Sequence, residues 1–225
     1  MQALIVIIST SVLFLLMQKL YVKMNNPLFL PILTVTLISV VVLLTFNIPY
    51  DTYMEGGEWI QKMLGPAVVA LAYPLYNQRA LIFKYKFSIL VSLIVSMIAG
   101  LVSVFALLKL FSATDSFIFT ALSKSLTTPV AMQVSESVGG IAPLTAVLVM
   151  VAGFTGAIFG PLLYKWVHID TPISRGVSMG SASHGVGITK LKEYGEEDLS
   201  IGSLSMGLSA VLGAIIVPAF ALLFM

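Results

Sequence analysis

Polar and apolar positions fall along this chain in long blocks rather than with a strand period. Asp, Glu, Lys and Arg are absent from five windows: Met1–Gln18, Met24–Tyr50, Phe87–Leu108, Ser137–Tyr164 and Leu199–Met225. Each is long enough to cross hydrocarbon as a helix. Three further apolar pieces are short or broken. Met63–Gln78 holds two prolines, Ser116–Ser135 is split by Lys124, and Gly176–Thr189 is rich in glycine and serine. The pattern predicts an all-α polytopic membrane protein: about five long transmembrane helices plus three interrupted or re-entrant segments.

Composition agrees with that class, since the 225 residues are 58% hydrophobic and 10% charged, far from the balance of soluble domains. There is no cysteine, so disulfides and thiolate metal sites are excluded. The first apolar run lacks a basic leader and a small-x-small cleavage site, and reads as a retained helix. No stretch reads as a soluble domain or linker, so 1–225 is expected to be a single integral membrane domain. A cut near Ser112 leaves two pieces, 1–111 and 112–225, with a similar order of segments, a possible internal structural repeat.

Charge placement adds orientation. Lys19 and Lys23 follow the first window, Asp51, Glu55 and Glu58 the second, and Arg79, Lys84 and Lys86 precede the third. Basic residues mark cytoplasmic loops, which puts the N-terminus outside. Lys165, Arg175, Lys190 and Lys192 then flank Gly176–Thr189 on both sides. Either that piece enters and leaves on one face, or it is a broken crossing helix. Inverted halves need an odd number of crossings each, whereas the charge rule gives each half an even number, and the sequence leaves the two in conflict.

Proline and clustered glycine survive at membrane depth only where protein or a wet cavity surrounds the freed backbone. In "SKSLTTPVAM" (123–132) Thr128 is expected as N-cap with Pro129 at the first helical position. Gly65–Pro66 offers a similar start in "LGPAVVALAYPLY" (64–76). Such starts carry free N–H groups and suit an anion. Lys124 lies four residues before Thr128. It reads either as a carboxylate clamp with Ser125, Thr127 and Thr128, or as a lysine snorkelling to an interface. Glu136 reads as an interfacial acid or a coupling carboxylate, about 18 Å from Lys124 if one helix joins them. "GSASHGVG" (180–187) supplies Ser183 and His184, either a second polar wall with a titratable ring or a small-residue packing patch. No nucleophile elbow, zinc pattern, phosphate loop or dinucleotide fingerprint is present, so catalytic residues, metal and cofactors are expected to be none.

These three motifs, 64–76, "SKSLTTPVAMQVSESVGG" (123–140) and "GSASHGVGITK" (180–190), in this order, resemble those of the LrgB/CidB family of bacterial membrane proteins. The resemblance implies a multi-pass plasma-membrane protein of holin/antiholin-like type, linked to murein hydrolase activity and lysis. It also implies a small LrgA/CidA-type membrane partner. Similar plastid proteins move glycolate and glycerate, and bacterial relatives are linked to pyruvate, which implies transport of small monocarboxylates. Tyr73 and the Gly185–Ile188 stretch depart from the usual pattern and bear on substrate preference. The expected substrate site is Lys124, Ser125, Thr127, Thr128, Pro129, Ser183, His184, Gly65 and Pro66, with His184 or Glu136 coupling a proton. The expected partners are a small carboxylate, the lipid bilayer and further copies of the chain, and not nucleic acid. The alternative is a holin-like pore or regulator with no dedicated substrate.

Overall fold

The structure is a computed structural model and describes residues 2–24, 29, 31–63, 66, 69, 73, 76 and 79–224. It divides into two compact units, 1–67 and 68–225. Among the described residues every regular element is helical, as hydrocarbon demands of chains that must satisfy their own backbone.

The first unit holds α1 (Gln2–Met24), α2 (Pro31–Thr45) and α3 (Tyr50–Lys62). The second apolar window folds as the 15-residue α2, shorter than the full bilayer crossing its 27-residue run allows. Residues 25–28 and 30 of that window lie outside the described residues. α3 carries Asp51, Glu55 and Glu58 and rests on α1 at Gly56, where a Cβ would stand 2.6 Å from the Val6 side chain and 2.7 Å from the Ala3 carbonyl.

The second unit begins with α4 (Arg79–Leu110), bent at Tyr85, where φ is −116° and ψ 19°. Then come α5 (Asp115–Leu122), a 3₁₀ turn (Ser123–Ser125), α6 (Thr128–Ser137), α7 (Ala142–Val167), α8 (Pro172–Ala182), α9 (His184–Leu191) and α10 (Glu196–Ala221). α1, α4, α7 and α10 are each long and apolar enough to span a membrane, and they carry four of the five charge-free windows.

The two interrupted segments of this unit are hairpins. Near the neck of the first, the Ile141 N–H donates to Thr120 Oγ1 (2.8 Å). The Thr145 hydroxyl lies 2.7 Å from Ser135 Oγ and 3.2 Å from the Thr120 carbonyl. Thr120 on α5 and Ser135 on α6 therefore meet at the start of α7, and the chain leaves on the face it entered. Gly140 makes this closure possible, since a Cβ there would overlap Ser135 Oγ and come within 2.8 Å of the Thr120 amide.

The second hairpin closes at the other end of α7. Tyr164 Oη donates to the Arg175 carbonyl (3.0 Å), and the Arg175 guanidinium sits 5.0 Å from the Tyr194 ring centroid. α8 and α9, of 11 and 8 residues, would place those ends roughly 28 Å apart if they continued one straight helix. Contact between Arg175 and Tyr194 excludes a crossing helix, so of the two readings the re-entrant one holds. α7 starts at one neck and ends at the other, so the hairpins enter from opposite faces. The element order hairpin then long helix thus occurs twice with opposite sense, over 115–167 and 172–221. Both copies lie within 112–225.

Glycine contacts fix the depth of the second hairpin. Added Cβ atoms on Gly176 and Gly180 of α8 would meet Ile201 and Ser205 of α10, 2.7 and 2.8 Å away. Along α7, Cβ atoms on Gly160 and Gly156 would run into Met179 and Ser183. The Ser183 tip thereby reaches the middle of α7. A leucine at Gly180 would force α8 away from the Gly202 carbonyl. We expect Gly180→Leu to lower stability by about 1–3 kcal/mol or more. Gly185→Leu, facing open space, should be close to neutral, and thermal unfolding of the two variants in detergent compares them.

Candidate functional site

The site is built where the two hairpin tips meet. In the first tip the chain leaves the 3₁₀ turn through an extended Leu126 (φ −119°, ψ 168°) and restarts as a helix when the Ala131 N–H bonds to the Thr127 carbonyl (2.8 Å). That bond moves the expected cap by one residue: Thr127 is the N-cap, Thr128 opens α6 and Pro129 is second. Either register tolerates proline, because the first four N–H groups of a helix have no intrahelical partner. Thr127 makes no side-chain capping bond.

In the second tip, Ser183 ends α8 and His184 opens α9 with φ at +47°. A left-handed conformation is costly for a residue with a Cβ, so this turn is held by its surroundings. His184 is 2% exposed, and neither ring nitrogen has a hydrogen-bond partner of good geometry. The ring lies close to the Ser125 backbone and the Lys124 side chain. Lys124 Nζ lies 3.4 Å from Ser125 Oγ, and among the described residues no carboxylate pairs with it.

Two cavities flank this junction. One, about 200 Å³, is lined by α4, by Lys124 and Ser125 of the first tip, by Ser181 and Ala182 of the second, and by Ser209 and Val217 of α10. The other, about 340 Å³, follows α7 and α8 from Lys124 past Gly156 and Ser183 to Tyr164 and Ile169 at the neck of the second hairpin. Lys124 and Ala182 line both. Lys124 thus borders both spaces.

With this geometry in view, the relationship to known proteins is decisive. The model of the LrgB-like family matches residues 10–223. The chain belongs to the LrgB family. It is 43% identical over 222 residues to the Bacillus subtilis (strain 168) protein YxaC, covering 99% of this chain and 96% of that protein. It is 36% identical to the Holin-like protein CidB of Staphylococcus epidermidis (strain ATCC 12228) over 224 residues, 100% of this chain and 98% of that one. The corresponding CidB of Staphylococcus aureus (strain N315) is 35% identical over 223 residues, 99% and 97% of the two chains. No solved structure matches the chain. With four long apolar helices among the described residues, this LrgB-family chain is a multi-pass bacterial membrane protein of a holin-like family.

In the LrgB-family chain the expected site residues separate into four sets. Lys124, Ser125, Ser183 and His184 lie together at the junction. Thr127 is 7% exposed with an unpartnered hydroxyl, while Thr128 and Pro129 follow at the half-buried start of α6. Glu136 stands exposed in the last turn of α6. Gly65 lies outside the described residues, as does most of the 64–76 motif, and Pro66 is described as exposed.

Two features escaped the sequence. Ser205 and Ser209 are buried in α10 with unpartnered hydroxyls. They sit inside a window that reads as plain hydrocarbon span, and only the small residues Gly202, Ser205, Ser209 and Gly213 at three- and four-residue steps hint that one face receives the hairpins. The second is the ion pair of Arg175 with Asp198, Nε to Oδ1 2.6 Å and Nη2 to Oδ2 3.3 Å. Arg175 Nη1 also reaches the Asp170 carbonyl (2.6 Å). Acidic residues contribute little to topology rules, so Asp198 carried no signal.

Proposed function

We propose that the chain is a secondary carrier or facilitator for small monocarboxylates of the 2-oxo or 2-hydroxy class. The observation that carries this reading is the shared border: Lys124 lines both of the cavities beside the hairpin tips. A cation at membrane depth without an acidic partner is costly, and such residues line pathways. A carboxylate arriving from either side would meet the ammonium, the free N–H groups at the start of α6 and the positive end of that helix. His184, buried beside Lys124, is the better placed of the two coupling candidates. Rocking the hairpins against the long helices would open one cavity and then the other, as in carriers built on inverted repeats. The smaller space, about 200 Å³, lies below the range of pockets for drug-sized ligands and suits a small acid.

A holin-like pore is the second reading, favoured by the printed names of the Staphylococcus relatives. In both readings the chain would work as a homo-oligomer beside a small LrgA/CidA-type membrane partner. Purified protein in liposomes under an imposed pH gradient separates them. The carrier saturates, and unlabelled short 2-oxo and 2-hydroxy acids compete with labelled pyruvate. Passage of unrelated dyes without saturation would overturn the carrier in favour of the pore.

A further inference from the structure

The cavity of about 340 Å³ that starts at Lys124 follows α7 and α8 and ends at Tyr164 and Ile169. Its walls are held together differently at the two ends. Towards the tip they are close-packed through glycine: a Cβ on Gly153 of α7 would stand 2.8 Å from the Val186 side chain of α9, and one on Gly156 would overlap Ser183. At the neck the contact is polar. Among the described residues the side-chain hydrogen bonds that join α7 to α8 are both made by one group, the Tyr164 hydroxyl, which donates to the Arg175 carbonyl (3.0 Å) and accepts from Ser178 Oγ (3.3 Å). Tyr164 is 6% exposed, and its ring meets the Tyr194 ring edge-on at 5.9 Å. At this end α8 is fastened to α10 instead, by the Arg175–Asp198 pair and by the close approach of Gly176 to Ile201.

We propose that the Tyr164 hydroxyl is a latch at the neck of the second hairpin. With its two bonds made, the cavity is shut to water on that face; with them broken, α7 parts from α8 and α10 and the cavity opens there as far as Lys124. This rests on the carrier reading above, which needs the site open to one face at a time, and it assigns the contact that regulates access from one of them. The strengths of the neck contacts decide which of them moves. Neutral hydrogen bonds contribute little net energy and can be exchanged for bonds to entering water, whereas parting Arg175 from the buried Asp198 would leave a carboxylate without its counter-charge. The ion pair therefore keeps α8 on α10 while the phenol lets go of α7. Opening strands no hydroxyl on α8, because Ser178 Oγ also donates to the Arg175 carbonyl (3.0 Å).

The test is labelling of an Ala152→Cys variant, in a chain with no other cysteine, by a charged, membrane-impermeant methanethiosulfonate reagent on protein in lipid nanodiscs. Ala152 is half-buried and lines this cavity but not the smaller one. It lies about 18 Å from Tyr164 along α7. Tyr164→Phe deletes the hydroxyl and keeps the ring. Losing both bonds should raise the open fraction, and the labelling rate of Ala152→Cys with it, about tenfold. Ala131→Cys, fully buried in α6, reports general loosening and should label no faster. Equal rates at Ala152→Cys with and without Tyr164→Phe would overturn the latch, and so would a matching rise at Ala131→Cys. Neither rate depends on transport, so a latch that fails in this way leaves the carrier standing. Uptake that does not saturate in the liposome assay would overturn the carrier, and the role of the latch with it.

Discussion

Replacing Lys124 with methionine is expected to weaken saturable pyruvate uptake about a hundredfold, within the ~2–5 kcal/mol that truncating one member of a buried charge pair costs. Methionine keeps the length and the apolar stem and deletes only the ammonium. In the proposed carrier the bound carboxylate then lies in a low-dielectric cavity with helix-end N–H groups alone to stabilise it. The empty protein should gain stability, because an unpaired cation is removed from a half-buried position. Opposite signs in the two readouts, uptake down and unfolding temperature level or up, would mark a functional lysine. A variant that is both folded and fully active would remove the clamp.

The second large effect lies at the neck of the second hairpin. Asp198 is 3% exposed in its side chain and Arg175 15%. Breaking a buried pair from one side leaves an uncompensated charge, at a cost of about 3–5 kcal/mol. The two halves of the pair should not be equivalent. Arg175→Ala strands a carboxylate with almost no water around it, whereas Asp198→Ala leaves a guanidinium still bonded to the Asp170 carbonyl and seated over Tyr194. Arg175→Ala should therefore lower the detergent unfolding temperature further than Asp198→Ala. Replacing both with apolar residues of similar volume should recover much of the loss. Equal effects from the two single changes would contradict this account of the neck.

How much of this was visible in the sequence follows from what each signal can report. Long charge-free windows show directly where helices can cross, because hydrocarbon thickness sets the length, and α4, α7 and α10 lie where those windows put them. Proline and glycine showed that 116–135 and 176–189 are interrupted, because those residues disturb the local backbone. Whether an interruption turns the chain back is a matter of contacts far along the sequence. Thr120 with Ser135 and Thr145, and Arg175 with Tyr194, decide it here, and no local pattern encodes them. The register of the cap at Thr127 escaped for a related reason, since proline is tolerated at either of the first two helical positions. Ser209 escaped because a serine in a uniformly apolar helix has no amphipathic pattern to mark the face it occupies. Lys124 was conspicuous because it is the charge that splits an apolar segment, and the structure brings to it a histidine 60 positions away in the chain.

The account depends most on the two tips meeting around Lys124. The natural absence of cysteine makes the test clean: a Ser125→Cys/Ser181→Cys variant, reconstituted in lipid and treated with a short bis-methanethiosulfonate reagent. Mass analysis after digestion should find peptides 123–127 and 178–183 joined within one chain, with uptake halted until a reductant releases the bridge. Free or singly modified cysteines at both positions, in protein that still folds and transports, would contradict the meeting of the tips and the carrier built on it.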